Sequence, residues 1–286
     1  MTEVKRHLHF RVIWWISNLL LAAALVSTVY SGLWELSVRR YLRGFSDAIV
    51  PVTLNSQQKA EAILAWMLKG PARLQSSNPQ LLSPHDPEDT LNYQDLLAVC
   101  GSATNAFLNL SRSAGVTARR LLLLAPDRRA KHVVAEVNVD GRWVIVDPTY
   151  RTFMKDDKGN LLTRKELQNP ELFREATREL ANYPPEYSYE RFAHVRLSAL
   201  PFFGVRLRPL LDRFFPTWDS YVDWTLLLER RSFAAFFLSA VALIFLLVAR
   251  VVLAWVADKR LLVPRFHLRA NLKRAAAAFF ATPEIK

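Results

Sequence analysis

The chain has 286 residues, 51% of them apolar and 22% charged, a balance that excludes a disordered polypeptide and accommodates one ordinary domain with accessory segments. The formal net charge of +12 raises nucleic-acid binding as a function class, but the excess is unevenly placed. Residues 1–11 carry +2, residues 258–286 carry +5 and Arg250 adds one, which leaves +4 for residues 35–231, so no nucleic-acid partner is expected.

In chain order, the first predicted element is membrane-spanning. Residues 12–34 hold no charged side chain over 23 positions, enough to cross a hydrocarbon core of about 30 Å at about 1.5 Å per residue. The apolar stretch is longer than that of a signal peptide, and Tyr30-Ser31-Gly32-Leu33-Trp34 is a poor small-residue cleavage site, so an uncleaved anchor is expected rather than a signal peptide. Leu36 to Phe45 continues it as a juxtamembrane helix. Ser56 to Leu68 repeats apolar residues at helical spacing (Ala60, Ile63, Leu64, Met67), ended by Gly70-Pro71, and Ser76 to Asp89 reads as a loop.

From Tyr93 to Ser113 apolar positions again follow a helical period, with Gly115 as terminator and Cys100 within or near the start of the helix. Arg119 to Leu124 is a predicted strand, Pro126 to Lys131 a charged turn and His132 to Val139 a second strand. Asp140-Gly141 is a hairpin turn leading into a third strand, Arg142 to Val146. Helices and strands are grouped rather than alternating, which predicts an α+β fold with an antiparallel sheet. Thr163 to Tyr183 reads as helix, broken by Pro184 to Tyr189. Phe192 to Phe215 has no clear period.

A second span follows at residues 232–257, with Arg250 as its one charge, and then a basic tail, 258–286, whose Leu261 to Phe280 segment is either an amphipathic helix for an anionic leaflet or a solvated positive tail that only fixes topology. Lys259, Arg260, Arg265, Arg269, Lys273 and Arg274 all lie close beyond this span, so both termini, 1–11 and 258–286, are expected in the cytoplasm and residues 35–231 on the periplasmic or extracytoplasmic side of a plasma (inner) membrane. In that compartment a lone cysteine cannot form an internal disulfide, and Cys100 is either a small core residue or a reactive one.

A thiol nucleophile needs a base, and the base needs a third group that fixes its tautomer. Cys100 at a helix start would gain thiolate character from the helix dipole. His132 and Asp147 lie eight and six residues from the Asp140-Gly141 turn, a plausible cross-strand distance. Each residue alone has an ordinary reading: a core thiol, a structural histidine, and an aspartate that starts a turn before Pro148. No spacing suggests a metal site and no phosphate loop is present, so no cofactor is expected.

Three blocks carry a resemblance. They are Val99-Cys100-Gly101-Ser102-Ala103-Thr104-Asn105-Ala106-Phe107 with Ser113-Ala114-Gly115-Val116-Thr117-Ala118-Arg119, then Lys131-His132-Val133-Val134-Ala135-Glu136-Val137, and Val139-Asp140-Gly141-Arg142-Trp143-Val144-Ile145-Val146-Asp147-Pro148-Thr149. In order and spacing they resemble the transglutaminase-like superfamily. The resemblance implies a papain-like core, a helix bearing the cysteine packed on an antiparallel sheet, with Cys100 as nucleophile, His132 as base and then acid, and Asp147 as orienter. Gln94 and Tyr93 are candidate oxyanion donors beside the Cys100 N–H. The expected function is thioester chemistry on a peptide, protein or other amide substrate in the bacterial cell envelope, as protease, amidase or acyltransferase. The alternative is a non-catalytic module serving an envelope polysaccharide or a membrane complex.

Overall fold

The computed structural model describes residues 2–127, 129–195, 210–211, 213–215, 226–227, 230–261, 273 and 276–277. Most of the Phe192 to Phe215 stretch and of the amphipathic candidate Leu261 to Phe280 falls outside the described residues.

Two compact units divide the chain, residues 1–29 with 238–286, and residues 30–237. Helix α1, Thr2–Ile49, contributes to both, so the juxtamembrane continuation is one unbroken helix with the first span. The last described helix, Arg231–Val256, closes in a π-helical turn, Ala257–Leu261. Two helices, Leu8–Ile49 and Arg231–Arg260, are long and apolar enough to cross a membrane, with exposed Leu19, Val26, Phe245 and Val251 among their residues. Within the first unit Phe10 and Ala257 are buried together against Trp14.

The second unit is α+β. Helix α2 is Ser56–Lys69, opened by a capping box in which the Asn55 side chain accepts from the Gln58 N–H and the Gln58 side chain from the Asn55 N–H. Short helices α3, Pro87–Asn92, and α4, Gln94–Leu97, precede α5, Cys100–Ser113. The single helix expected from Tyr93 onward is thus two, because the chain turns extended at Val99, the N-cap of α5. Strands β1, Ala118–Leu124, β2, Ala130–Val139, β3, Arg142–Asp147, β4, Thr152–Phe153, and β5, Phe192–Ala193, form one antiparallel sheet in the order β4-β3-β2-β1-β5. The hairpin turn has Asp140 at φ 51° and Gly141 at φ 84°, the left-handed pair that matches strand twist in a two-residue connection.

Strand alternation divides the core. Ala135, Val137, Val144 and Val146 face α2, α3 and α5, packing on Ile63, Leu91, Phe107 and Leu110. Val134 and Ile145 face the opposite way, onto Met154, Leu162, Leu167 and Tyr189. The long helix expected from Thr163 to Tyr183 is instead a 3-10 turn, Glu166–Gln168, and helix α6, Pro170–Thr177. Asn169 adopts an extended conformation and caps α6 by accepting from the Glu171 N–H, and Pro170 cannot continue a preceding helix.

Within this unit, Glu35 is buried and accepts hydrogen bonds from Arg39 (2.7 Å), Arg230 (2.7 Å) and the Ser232 hydroxyl (2.8 Å). This joins the two chain segments that enter and leave the unit. A buried carboxylate needs such partners.

Candidate active site

His132 stands third in β2, not first as the sequence reading had it. Its side chain shares the sheet face of Val134, and Asp147, last residue of β3, shares the face of Ile145. The β2–β3 register pairs Ala135 with Val146, which places Asp147 opposite Val134 and diagonal to His132. A diagonal pair is within reach of a ring and a carboxylate. Both side chains are buried, 2% and 0% exposed, and His132 Nε2 lies 2.7 Å from Asp147 Oδ2.

The carboxylate is fixed from its other oxygen. Asp147 Oδ1 accepts from the N–H groups of Thr149 (3.0 Å) and Tyr150 (3.3 Å). The turn role and the pairing role of this aspartate therefore coexist, one on each oxygen.

Cys100 is the first residue of α5, half-buried, and packs against Leu122, Val133 and Ala193. Its N-cap, Val99, has no side chain that can accept, so the first N–H groups of the helix are not capped by a neighbouring residue. Two bonds hold the helix start to the sheet: Thr104 Oγ1 donates to the Val133 carbonyl (3.0 Å), and Arg120 Nη2 to the Gly101 carbonyl (3.2 Å). The first of these ties the cysteine helix to the residue after His132.

With Nε2 given to Asp147, the buried Nδ1 of His132 has no hydrogen-bond partner among the described residues. Interaction with His132 is the largest influence on the Cys100 thiol and, against burial, lowers its pKa. For His132, burial acts to lower the pKa, but the Asp147 and Cys100 hydrogen bonds and charges outweigh it and raise it from 6.5 to about 9. The two shifts agree in sense: they favour a thiolate beside an imidazolium.

The two candidate oxyanion donors are situated differently. Gln94 is exposed and lines a cavity with Ala98, Thr149 and Tyr150. Tyr93 is held by its backbone in a bridge to Leu74 and does not line that cavity.

A group of tyrosines around the imidazole is not foreseen by the sequence reading. Tyr187 stacks on His132 with ring centroids 4.3 Å apart and planes 6° from parallel, and Tyr150 and Tyr183 meet the imidazole edge to face at 6.3 and 6.2 Å. The Tyr183 and Tyr189 hydroxyls are 3.3 Å apart, and burial pushes both phenols up, away from ionisation. The Pro184 to Tyr189 break therefore forms part of the site's wall. Its density of tyrosine and proline was the available signal, since rigid aromatic segments pack well against a ring.

Trp143 lies toward the hairpin end of the sheet, under the Arg119 guanidinium at 4.1 Å. Arg119 also meets buried Glu136 (2.6 Å), which His194 Nε2 approaches at 3.0 Å.

No curated protein and no solved structure matches the chain significantly. A family model, that of the transglutaminase-like superfamily, matches residues 43–148. That segment includes Cys100, His132 and Asp147. Residues 43–148 are a transglutaminase-like superfamily domain, carried on a chain with two helices able to span a membrane.

Proposed function

We propose that the protein is a membrane-anchored thiol enzyme acting on an amide bond, with Cys100 as nucleophile, His132 as base and acid, and Asp147 as orienter. The observation that carries this reading is the 2.7 Å contact of buried His132 with Asp147 beside a half-exposed thiol of lowered pKa. The thiolate attacks the amide carbonyl carbon and forms a carbon–sulfur bond. As the tetrahedral species collapses, the carbon–nitrogen bond breaks and His132 gives its proton to the leaving amine. Attack of water or of a second amine on the thioester, assisted by the now neutral imidazole, returns the thiolate and releases an acid or a new amide. Asp147 keeps Nε2 protonated throughout, so the nitrogen on the thiol side carries the mobile proton.

In this reading the oxyanion donors are the Cys100 N–H, at the start of α5, and Gln94, which lines the neighbouring cavity. The basic flank after the second span supports cytoplasmic termini and an extracytoplasmic domain. In that topology the substrate is a peptide, protein or other amide of the cell envelope.

Iodoacetamide alkylation of the full chain tests the nucleophile. Cys100 is its only cysteine, so the adduct is unambiguous. Rapid alkylation at neutral pH, slowed strongly in His132→Ala, is expected; a thiol as slow as a free cysteine in folded protein refutes the reading. A C-terminal reporter fusion that signals from outside the cytoplasm would refute the topology.

A further inference from the structure

A cavity of about 470 Å3 lies against the candidate active site. Ala98, two residues before Cys100, and Thr149 and Tyr150, which follow Asp147, form one wall, and the end of α2 with Gly70, Pro71 and Arg73 forms another. Two of its lining residues are arginines and none is an aspartate or glutamate.

The two guanidiniums are placed differently. Arg151, at φ 59°, donates only to backbone carbonyls: Nε to Met67 (3.4 Å), Nη2 to Leu97 (2.8 Å), and Nη1 to Thr149 (2.6 Å) and Pro148. These bonds fix the group without neutralising it. Arg73 lies over the Trp66 ring at 4.4 Å and donates one Nη2 bond to the Trp66 carbonyl (3.1 Å), while its Nε makes no hydrogen bond. Neither has a carboxylate within ion-pairing distance among the described residues, and the two charges repel. The one carboxylate that acts on Arg151, Asp147, is engaged by His132.

We infer that this cavity is a subsite for a carboxylate carried by the substrate, with Arg73 as the recognising fork and Arg151 as a fixed positive background. The inference rests on the thiol chemistry proposed above, and it adds the substrate class: an amide bond flanked by an acidic group. The guanidinium fork matches a planar carboxylate in two parallel hydrogen bonds. Stacking on Trp66 holds the fork still, so little side-chain freedom is lost when the anion docks. Because the cavity shares its wall with the segments that bear Cys100 and Asp147, the anion and the scissile amide would belong to one molecule.

Two reagents of equal shape test this, N-iodoacetyl-glutamate α-amide and N-iodoacetyl-glutamine α-amide, applied to the detergent-solubilised full chain. The glutamate reagent should alkylate Cys100 about tenfold faster at low salt, the discrimination of one charge-assisted contact in a partly exposed site. That ratio should fall toward one in high salt and in Arg73→Gln, with Arg73→Lys in between. A ratio of one or less in the native chain, or a ratio unmoved by both salt and Arg73→Gln, overturns the inference. If Cys100 reacts with neither reagent, the thiol reading fails, and the subsite is decided separately. Saturation-transfer NMR with the N-acetyl counterparts then supports it by a glutamate preference that Arg73→Gln abolishes, and equal binding overturns it.

Discussion

Replacing Asp147 by Asn probes the electrostatics on which the site depends. The His132 ring is 2% exposed, so burial alone would leave it neutral at pH 7. The rise from 6.5 to about 9 corresponds to on the order of 3 kcal/mol in favour of the imidazolium, and Asp147 supplies the largest of the raising influences. Asparagine preserves the shape and removes the charge. The imidazole should then fall to or below its ordinary pKa, and the thiol should lose the influence that lowers it. Alkylation of Cys100 followed from pH 5 to 10 reads both groups. In the native chain the rate should rise through a pKa below the ordinary thiol value; in Asp147→Asn that limb should move upward, costing about tenfold or more in rate at pH 7 and little at pH 10. Stability should shift with the opposite limb. A histidine whose pKa is raised by folding stabilises fully below about 6.5, and that contribution is lost as pH rises through about 9; Asp147→Asn should flatten this slope in thermal melts. Superimposable alkylation profiles for the two proteins would refute the reasoning.

Three further outcomes follow from the geometry. Tyr187→Ala uncovers the stacked face of His132, removing about 0.5–1.5 kcal/mol of ring packing and slowing alkylation several-fold, whereas Tyr187→Phe keeps the stack and should behave as native in the same assay. Glu136→Gln leaves Arg119 and His194 without their buried carboxylate; a loss of about 3–5 kcal/mol is expected in denaturant melts. Burial alone would raise the Glu136 pKa, but His194 and Arg119 outweigh it and lower it, so its contribution is present above the ordinary glutamate value and is lost as pH falls through the lowered one. The variant should lack that acid-side loss. Phe107→Ala, at a fully buried position where α5 meets the sheet, should cost about 3–5 kcal/mol, and an unchanged denaturation midpoint would argue against that packing.

The sequence by itself determined the elements whose cause is local. The two candidate spans follow from long apolar runs, the β2–β3 hairpin from Asp140-Gly141, α2 from its apolar period, and the order of cysteine, histidine and aspartate from three short blocks. Where a boundary depends on one residue's backbone, as at Val99 before α5 or Asn169 before α6, periodicity ran past it, because apolar spacing cannot register a single extended residue. The approach of Cys100 to His132 was decided only in three dimensions: it depends on Thr104 and Arg120 holding a helix start to the sheet, contacts between residues far apart in the chain. The stacking of Tyr187 on His132 and the meeting of Arg73 with Arg151 are of the same kind. A loop tyrosine and a post-helical arginine carry no periodic signature, and what they do is set by the neighbours that the folded chain gives them.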